Sequence, residues 1–215
     1  MARHSVRFAP ARPGERLAIA LDFPGHVHRG GAVLFGPDPL LGGDLDNNVL
    51  AALAATLADA GRPALRFDYR SSGRSLDVEP GRSRFDWWHD VAGRGDWTAV
   101  LEDAAEALAR ARRWFEPEVA IGYSFGAFVA HRARTGLRLA MIDPPIERLD
   151  LDGAEGLLVL SELDGFTPLP PPEALARRFP AARVVRLEEA DHFHRGDEAR
   201  VAQLVLDHLD EVPIR

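Results

Sequence analysis

The chain has 215 residues, of which 46% are hydrophobic and 27% charged, enough apolar material for one substantial core and a length that suits one domain spanning 1–215. A net charge of -7 without a basic cluster argues against nucleic acid or an anionic membrane as partner. Cysteine is absent, which excludes disulfides, thiol nucleophiles and thiolate metal sites, and lysine is absent too, so the basic side chains other than histidine are all arginine.

The opening stretch "MARHSVRFAPARPGERLAIAL" has no long apolar run behind its arginines, so no signal peptide is expected there. No later run is long enough to span a membrane, and a cytoplasmic setting is the expectation. The runs "RLAIAL" (16–21) and "GAVLF" (31–35) read as strands. A helix follows in "NVLAALAATLADAG", with Leu50, Leu53, Ala54 and Leu57 on one stripe, Asp46 or Asn47 as cap and Gly61 as terminator. "PALRF" (63–67) is the next strand. Residues 68–97 then read as irregular and hold three of the four tryptophans, with 77–97 as a candidate lid or insertion.

"TAVLEDAAEALARARRWF" is helical, with Leu101, Ala104, Ala105, Leu108 and Phe115 on one face. Four more apolar runs, 118–123, 137–142, 156–161 and 182–187, read as strands, most of them without polar alternation, as in a parallel sheet covered on both faces. A short helix is expected after 125 and a longer one from a capping Asp197, with Val201, Leu204, Val205 and Leu209 aligned. Strand alternating with helix implies an α/β fold, a doubly wound and mostly parallel sheet with helices on both faces.

The stretch "AIGYSFGAFVA" places Ser124 between Gly122 and Gly126, after a strand-like run and before a helix-like one. A nucleophile elbow needs that arrangement, with the serine on a strained turn between strand and helix. The free N–H groups of the following helix would face the serine oxygen, and the backbone N–H of Phe125 would be one oxyanion donor. A serine needs a base, and the base an orienting acid, in the chain order serine, acid, histidine. Asp164 lies just past one strand end, in "SELDGFTP", and His192 just past the last, in "EEADHFHRGDE". Glu162, Asp191 and Asp143 are the rival acids, and His194, read as a solvent-side neighbour, is the rival base.

On these residues the chain resembles the α/β-hydrolase superfamily, and within it the small bacterial serine hydrolases with little or no lid. The loop "FGPDPLLGGDLDNN" (35–48) is similar to the family run H-P-H-P-L-x-G-G-x-x-x-N, and "RFDYRSSGRS" (66–75) to R-F-D-Y-R-G-x-G-R-S. "LDGFTP" and "ADHF" match its acid and histidine sites, and the resemblance covers about residues 15–212. It implies Ser124 as nucleophile, Asp164 as acid, His192 as base, and the backbone N–H of Asp38 as second oxyanion donor. Gly36 and Asp38 stand where the family has two histidines, and Ser71 where it has a glycine.

The expected activity is cleavage of an ester or thioester through an acyl-enzyme, with a small-molecule acyl substrate, no cofactor and no metal. Trp87, Trp88 and Phe166 are candidate walls of an apolar substrate pocket. Three alternatives stay open: acyl transfer on the same residues, a non-catalytic binding member of the fold, and a metal site built from His26 and His28 or from Asp191, His192 and His194.

Overall fold

A computed structural model describes residues 3–26, 30–133, 135–148 and 156–211. Its centre is an eight-stranded sheet. In chain order the strands are β1 (His4–Phe8), β2 (Ile19–Phe23), β3 (Gly31–Phe35), β4 (Ala64–Phe67), β5 (Pro117–Tyr123), β6 (Arg138–Ile142), β7 (Gly156–Ser161) and β8 (Ala182–Leu187). Across the sheet they lie in the order β1-β2-β4-β3-β5-β6-β7-β8. The first two pairings, β1 with β2 and β2 with β4, are antiparallel, and every later one is parallel. This is the doubly wound, mostly parallel sheet expected from the alternation of apolar runs and helical stripes.

The helices are α1 (Asn48–Asp59), α2 (Arg84–Arg94), α3 (Thr98–Ala111), α4 (Phe125–Arg132), α5 (Pro172–Arg178) and α6 (Glu198–Glu211). Alternate strand side chains feed two cores. On one face Ala32, Leu34, Val119, Ile121 and Tyr123 pack beneath α1 and α6. On the other, Val33, Phe35, Ala120, Met141 and Leu158 pack beneath α2, α3 and α4. The period-two split of each strand is what makes helices necessary on both faces, since either bare face would expose a continuous apolar surface. Asn47, not Asp46, caps α1, its side chain accepting hydrogen bonds from Val49 N at 3.0 Å and Leu50 N at 3.3 Å.

Three elements differ from the sequence expectation. β1 is an edge strand in a stretch not expected to be one. α5 lies where 164–172 gives way to the last strand. The third, α2, crosses the stretch read as irregular. It is capped by Ser83, ended by Gly95 at φ 64°, and buries Trp87, Trp88 and Val91. The candidate lid thus contains a helix packed onto the core.

Candidate active site

The serine turn follows directly from β5. Ser124 sits between β5 and α4 with φ 53° and ψ -120°, a left-handed conformation that costs about 1–3 kcal/mol for a residue with a Cβ. Two features hold it there. Ser124 N donates to Ile142 O at the end of the neighbouring β6, at 2.8 Å, and Ala127 N closes the first helical turn on Ser124 O at 2.9 Å. The flanking glycines are required by close approach. A Cβ on Gly126 would lie 2.0 Å from Phe35 O, and one on Gly122 would lie 2.4 Å from Ala127 Cα. The turn is therefore pressed against both the following helix and the end of β3.

The histidine reaches it from the loop between β8 and α6. His192 Nε2 is 3.0 Å from Ser124 Oγ, and His192 Nδ1 is 2.7 Å from Asp164 Oδ2. Asp164 comes from the loop after β7. Its other oxygen accepts from Phe166 N at 2.7 Å and Thr167 N at 3.0 Å. Burial pushes the Asp164 carboxyl up, but the hydrogen bonds from His192, Phe166 and Thr167 outweigh it and hold the group below its ordinary value. An ionised Asp164 then fixes the proton on His192 Nδ1 and leaves Nε2 free to accept from the serine.

Residues that the sequence reading did not single out also grip this loop. The hydroxyl of Tyr123, the residue before the serine, donates to the backbone oxygen of His192. Burial first, then the carboxylates of Asp143, Asp164 and Asp191, push the Tyr123 phenol well above its ordinary value, so it stays a donor. Asn48 Nδ2 at the start of α1 donates to Phe193 O at 3.0 Å and to Glu198 at 2.8 Å. Tyr123 stood in plain view as the x before the serine, but no sequence signal distinguished it from a core residue.

The two expected oxyanion donors come from different segments, one after β5 and one after β3. Phe125 is the first residue of α4, where an N–H has no intrahelical acceptor. Its ring is held by Tyr69, Trp88, Trp97 and Phe128, at centroid distances of 5.8, 5.9, 5.1 and 5.9 Å. Asp38 follows β3 and begins a short 3₁₀ turn, Pro39–Leu41, with its carboxylate accepting from Leu40 N at 2.8 Å. The side chain is thus engaged by its own turn. Ser71, in the place of a family glycine, keeps a left-handed φ of 50°, and its hydroxyl accepts from Val78 N.

Of the expected pocket residues, Trp87 and Trp88 are buried, at 5% and 2% exposure, and their rings pack against each other beneath α2. Trp88 donates to Ser71 O and forms one wall of a cavity of about 240 Å³ beside Pro39, Leu40 and Phe85. Phe166 is exposed, and its ring lies 4.9 Å from that of His192. Asp143 does not touch the base in the way Asp164 does: its carboxylate is taken by Ser161 and lies against His194. Asp191 accepts from Phe193 N within its own turn, and Glu162 pairs with Arg186. His194 is not on the solvent side. It is 1% exposed and stands at a left-handed φ of 51°.

For the metal alternative, His28 lies outside the described residues. His192 and His194 point to different partners, Asp164 and Asp143. Asp143, Asp164 and His192 do bring donor atoms within 4.8 Å of one another. The nitrogens of His192 are already engaged, one by Asp164 and one by Ser124.

No protein-family model matches the chain, and no curated protein matches it. Solved structures do. An α/β serine hydrolase homologue from Coxiella burnetii superposes with a TM-score of 0.75 at 20% identity, covering 95% of this chain and 97% of that one. An α/β serine hydrolase without a lid from Xanthomonas campestris gives 0.70 at 24%, covering 98% and 96%. The chain has the α/β-hydrolase fold. A third structure, Est1E from Butyrivibrio proteoclasticus with bound ferulic acid, gives 0.68 at 16%, covering 95% and 98%. Within the α/β-hydrolase fold of this chain, Ser124, Asp164 and His192 sit at the carboxyl ends of β5, β7 and β8, where open α/β sheets place their ligands. No helix among the described residues is long and apolar enough to cross a membrane.

Proposed function

We propose that the protein is a serine hydrolase that cleaves an ester or thioester through an acyl-enzyme. The observation that carries this reading is the chain of contacts from Ser124 Oγ to His192 Nε2, at 3.0 Å, and from His192 Nδ1 to Asp164, at 2.7 Å. Ser124 attacks the carbonyl carbon while His192 takes the hydroxyl proton. Asp164 holds the imidazole in the right tautomer and stabilises its charged form. The backbone N–H groups of Phe125 and Asp38 receive the oxyanion, and His192 passes its proton to the leaving group. It then takes a proton from the water that releases the acid.

The substrate reading is an ester with an apolar acyl or aryl part lying against Phe166. Phe166 and Phe193 are exposed beside His192, with ring centroids 5.6 Å apart, and give such a group an aromatic surface. The aromatic acid bound by Est1E is consistent with a site of this kind.

Treatment with a fluorophosphonate probe, followed by mass mapping of the adduct, tests the assignment. The label is expected on Ser124, and Ser124→Ala should take none and lose turnover of a short acyl nitrophenyl ester while keeping its fold. A Ser124→Ala protein that hydrolyses the ester at the wild-type rate would end the proposal.

A further inference from the structure

Two residues beyond His192 the chain buries a second histidine. The His194 side chain has no exposed surface, nor has that of Asp143, and His194 Nε2 lies 2.7 Å from Asp143 Oδ2. Neither ring nitrogen of His194 makes a hydrogen bond, so the approach of Nε2 to Asp143 is a close polar contact. Asp143 is itself fixed from the other side: it accepts from Ser161 N at 2.6 Å and from Ser161 Oγ at 2.9 Å. The mechanism above uses neither residue.

Both are held in left-handed backbone, Asp143 at φ 41° and His194 at φ 51°. Aspartate and histidine are both among the residues that enter this region more readily than most, yet each carries a cost on the order of 1 kcal/mol there. Such a conformation persists only where the surroundings over-determine it. Burying a carboxylate and an imidazole adds to the cost unless each meets a partner. The place where this cost is met is informative. Asp143 directly follows Ile142, whose carbonyl receives the N–H of Ser124. His194 sits in the turn that carries His192, where its N–H donates to Asp191 O at 3.3 Å and its carbonyl accepts from Asp197 N at 2.9 Å. The ring of Tyr123 lies against both imidazoles, 5.7 Å from His192 and 5.9 Å from His194.

We infer that Asp143 and His194 are positioning residues. Their contact pins the loop between β8 and α6 to the end of β6, the same strand end that fixes the serine backbone. Together with the Tyr123 hydroxyl on His192 O, it thereby helps to set the Nε2-to-Oγ distance between two segments far apart in the chain. The inference rests on the reading of Ser124 and His192 as nucleophile and base.

The test compares His194→Leu, which fills the space but offers no polar atom, with His194→Gln, whose amide reaches as far as Nε2. Both replace one side chain with a Cβ by another at the same strained φ, so backbone strain is common to the two. Each is measured for the second-order rate of fluorophosphonate labelling at Ser124, for kcat and KM on a nitrophenyl ester, and for its unfolding midpoint. A displacement of about 1 Å at a reacting pair costs on the order of a hundredfold. His194→Leu should therefore slow labelling and kcat by about tenfold to a hundredfold, with KM nearly unchanged, and His194→Gln should recover most of the rate. Asp143→Gly, which accepts the left-handed backbone readily and removes the carboxylate, should behave like His194→Leu and takes its place if that variant does not fold. Folded His194→Leu or Asp143→Gly protein labelled at the wild-type rate overturns the inference and leaves the proposed function standing. Equal slowing in the Leu and Gln variants also overturns it, because space-filling alone would then be at stake. A wild-type chain that takes no label at Ser124 overturns both.

Discussion

Gly126→Ala asks how closely the serine turn depends on the end of β3. The added Cβ would stand 2.0 Å from Phe35 O and 2.5 Å from Gly36 O, both backbone atoms. A carbon and a carbonyl oxygen in ordinary contact stay roughly 3.4 Å apart, so the two segments must separate by about 1.4 Å. The segment displaced is the one that leads into Asp38, the proposed second oxyanion donor. Loss of one such donor costs on the order of a hundredfold to a thousandfold in kcat, and a misplacement of about 1 Å costs a similar factor. The overpacking itself should destabilise the fold by about 1–3 kcal/mol, which a domain with an ordinary reserve of about 5–15 kcal/mol survives. Gly126→Ala should therefore be folded by circular dichroism, melt a few degrees lower, and turn over a nitrophenyl ester about a hundredfold more slowly. Folded Gly126→Ala protein with wild-type kcat would refute the coupling between turn and loop.

Asp38 separates the donor from its side chain. Its φ of -59° is one that a proline ring accepts, so Asp38→Pro removes the N–H at a compatible φ, whereas Asp38→Ala keeps it. The alanine variant loses the cap on Leu40 N, about 1 kcal/mol of stability. Its kcat should stay within a few-fold of wild type, and that of the proline variant should fall about a hundredfold; equal rates for the two would place the donor elsewhere. A third expectation concerns pH. Burial pushes the Asp103 carboxyl up to about 6 against the pull of Arg70. The folded chain then holds that proton more tightly than the unfolded chain, whose group titrates near its ordinary value. This contribution to stability is fully present below about pH 4 and is lost as pH rises through about 6, by up to about 3 kcal/mol. Asp103→Asn removes the titration, so the wild-type minus variant difference in unfolding free energy should fall across that window in urea melts. A flat difference would show that the carboxyl titrates normally.

Much of this arrangement could be read from the chain because long apolar runs and helical stripes are robust signals. β5, β6, β7 and β8 are runs of that kind, and Ser124, Asp164 and His192 follow the ends of β5, β7 and β8 in that order. The elements that escaped have physical reasons. β1, "HSVRF", is an edge strand with exposed side chains, so it has no apolar run to announce it. α2 buries only Trp87, Trp88 and Val91 and carries Gly93 and several charges, which disguises its stripe. α5 is seven residues long and opens on proline. His194 is buried at a left-handed backbone position, a conformation that leaves no trace in residue type. Asp143 and Asp164 are indistinguishable as aspartates following strands. Only their partners, His194 with Ser161 for one and His192 for the other, tell them apart.

The cluster around Phe125 has an optical consequence. Trp88 and Trp97 touch the ring of Phe125, the residue after Ser124, and Trp87 meets Trp88 edge-on, while Trp114 lies apart with Phe8 and Phe23. Three of the four tryptophans therefore share one aromatic cluster with the residue that follows Ser124. Acylation at that position would be visible as a change in emission, giving a label-free signal of turnover for compounds that release no coloured product.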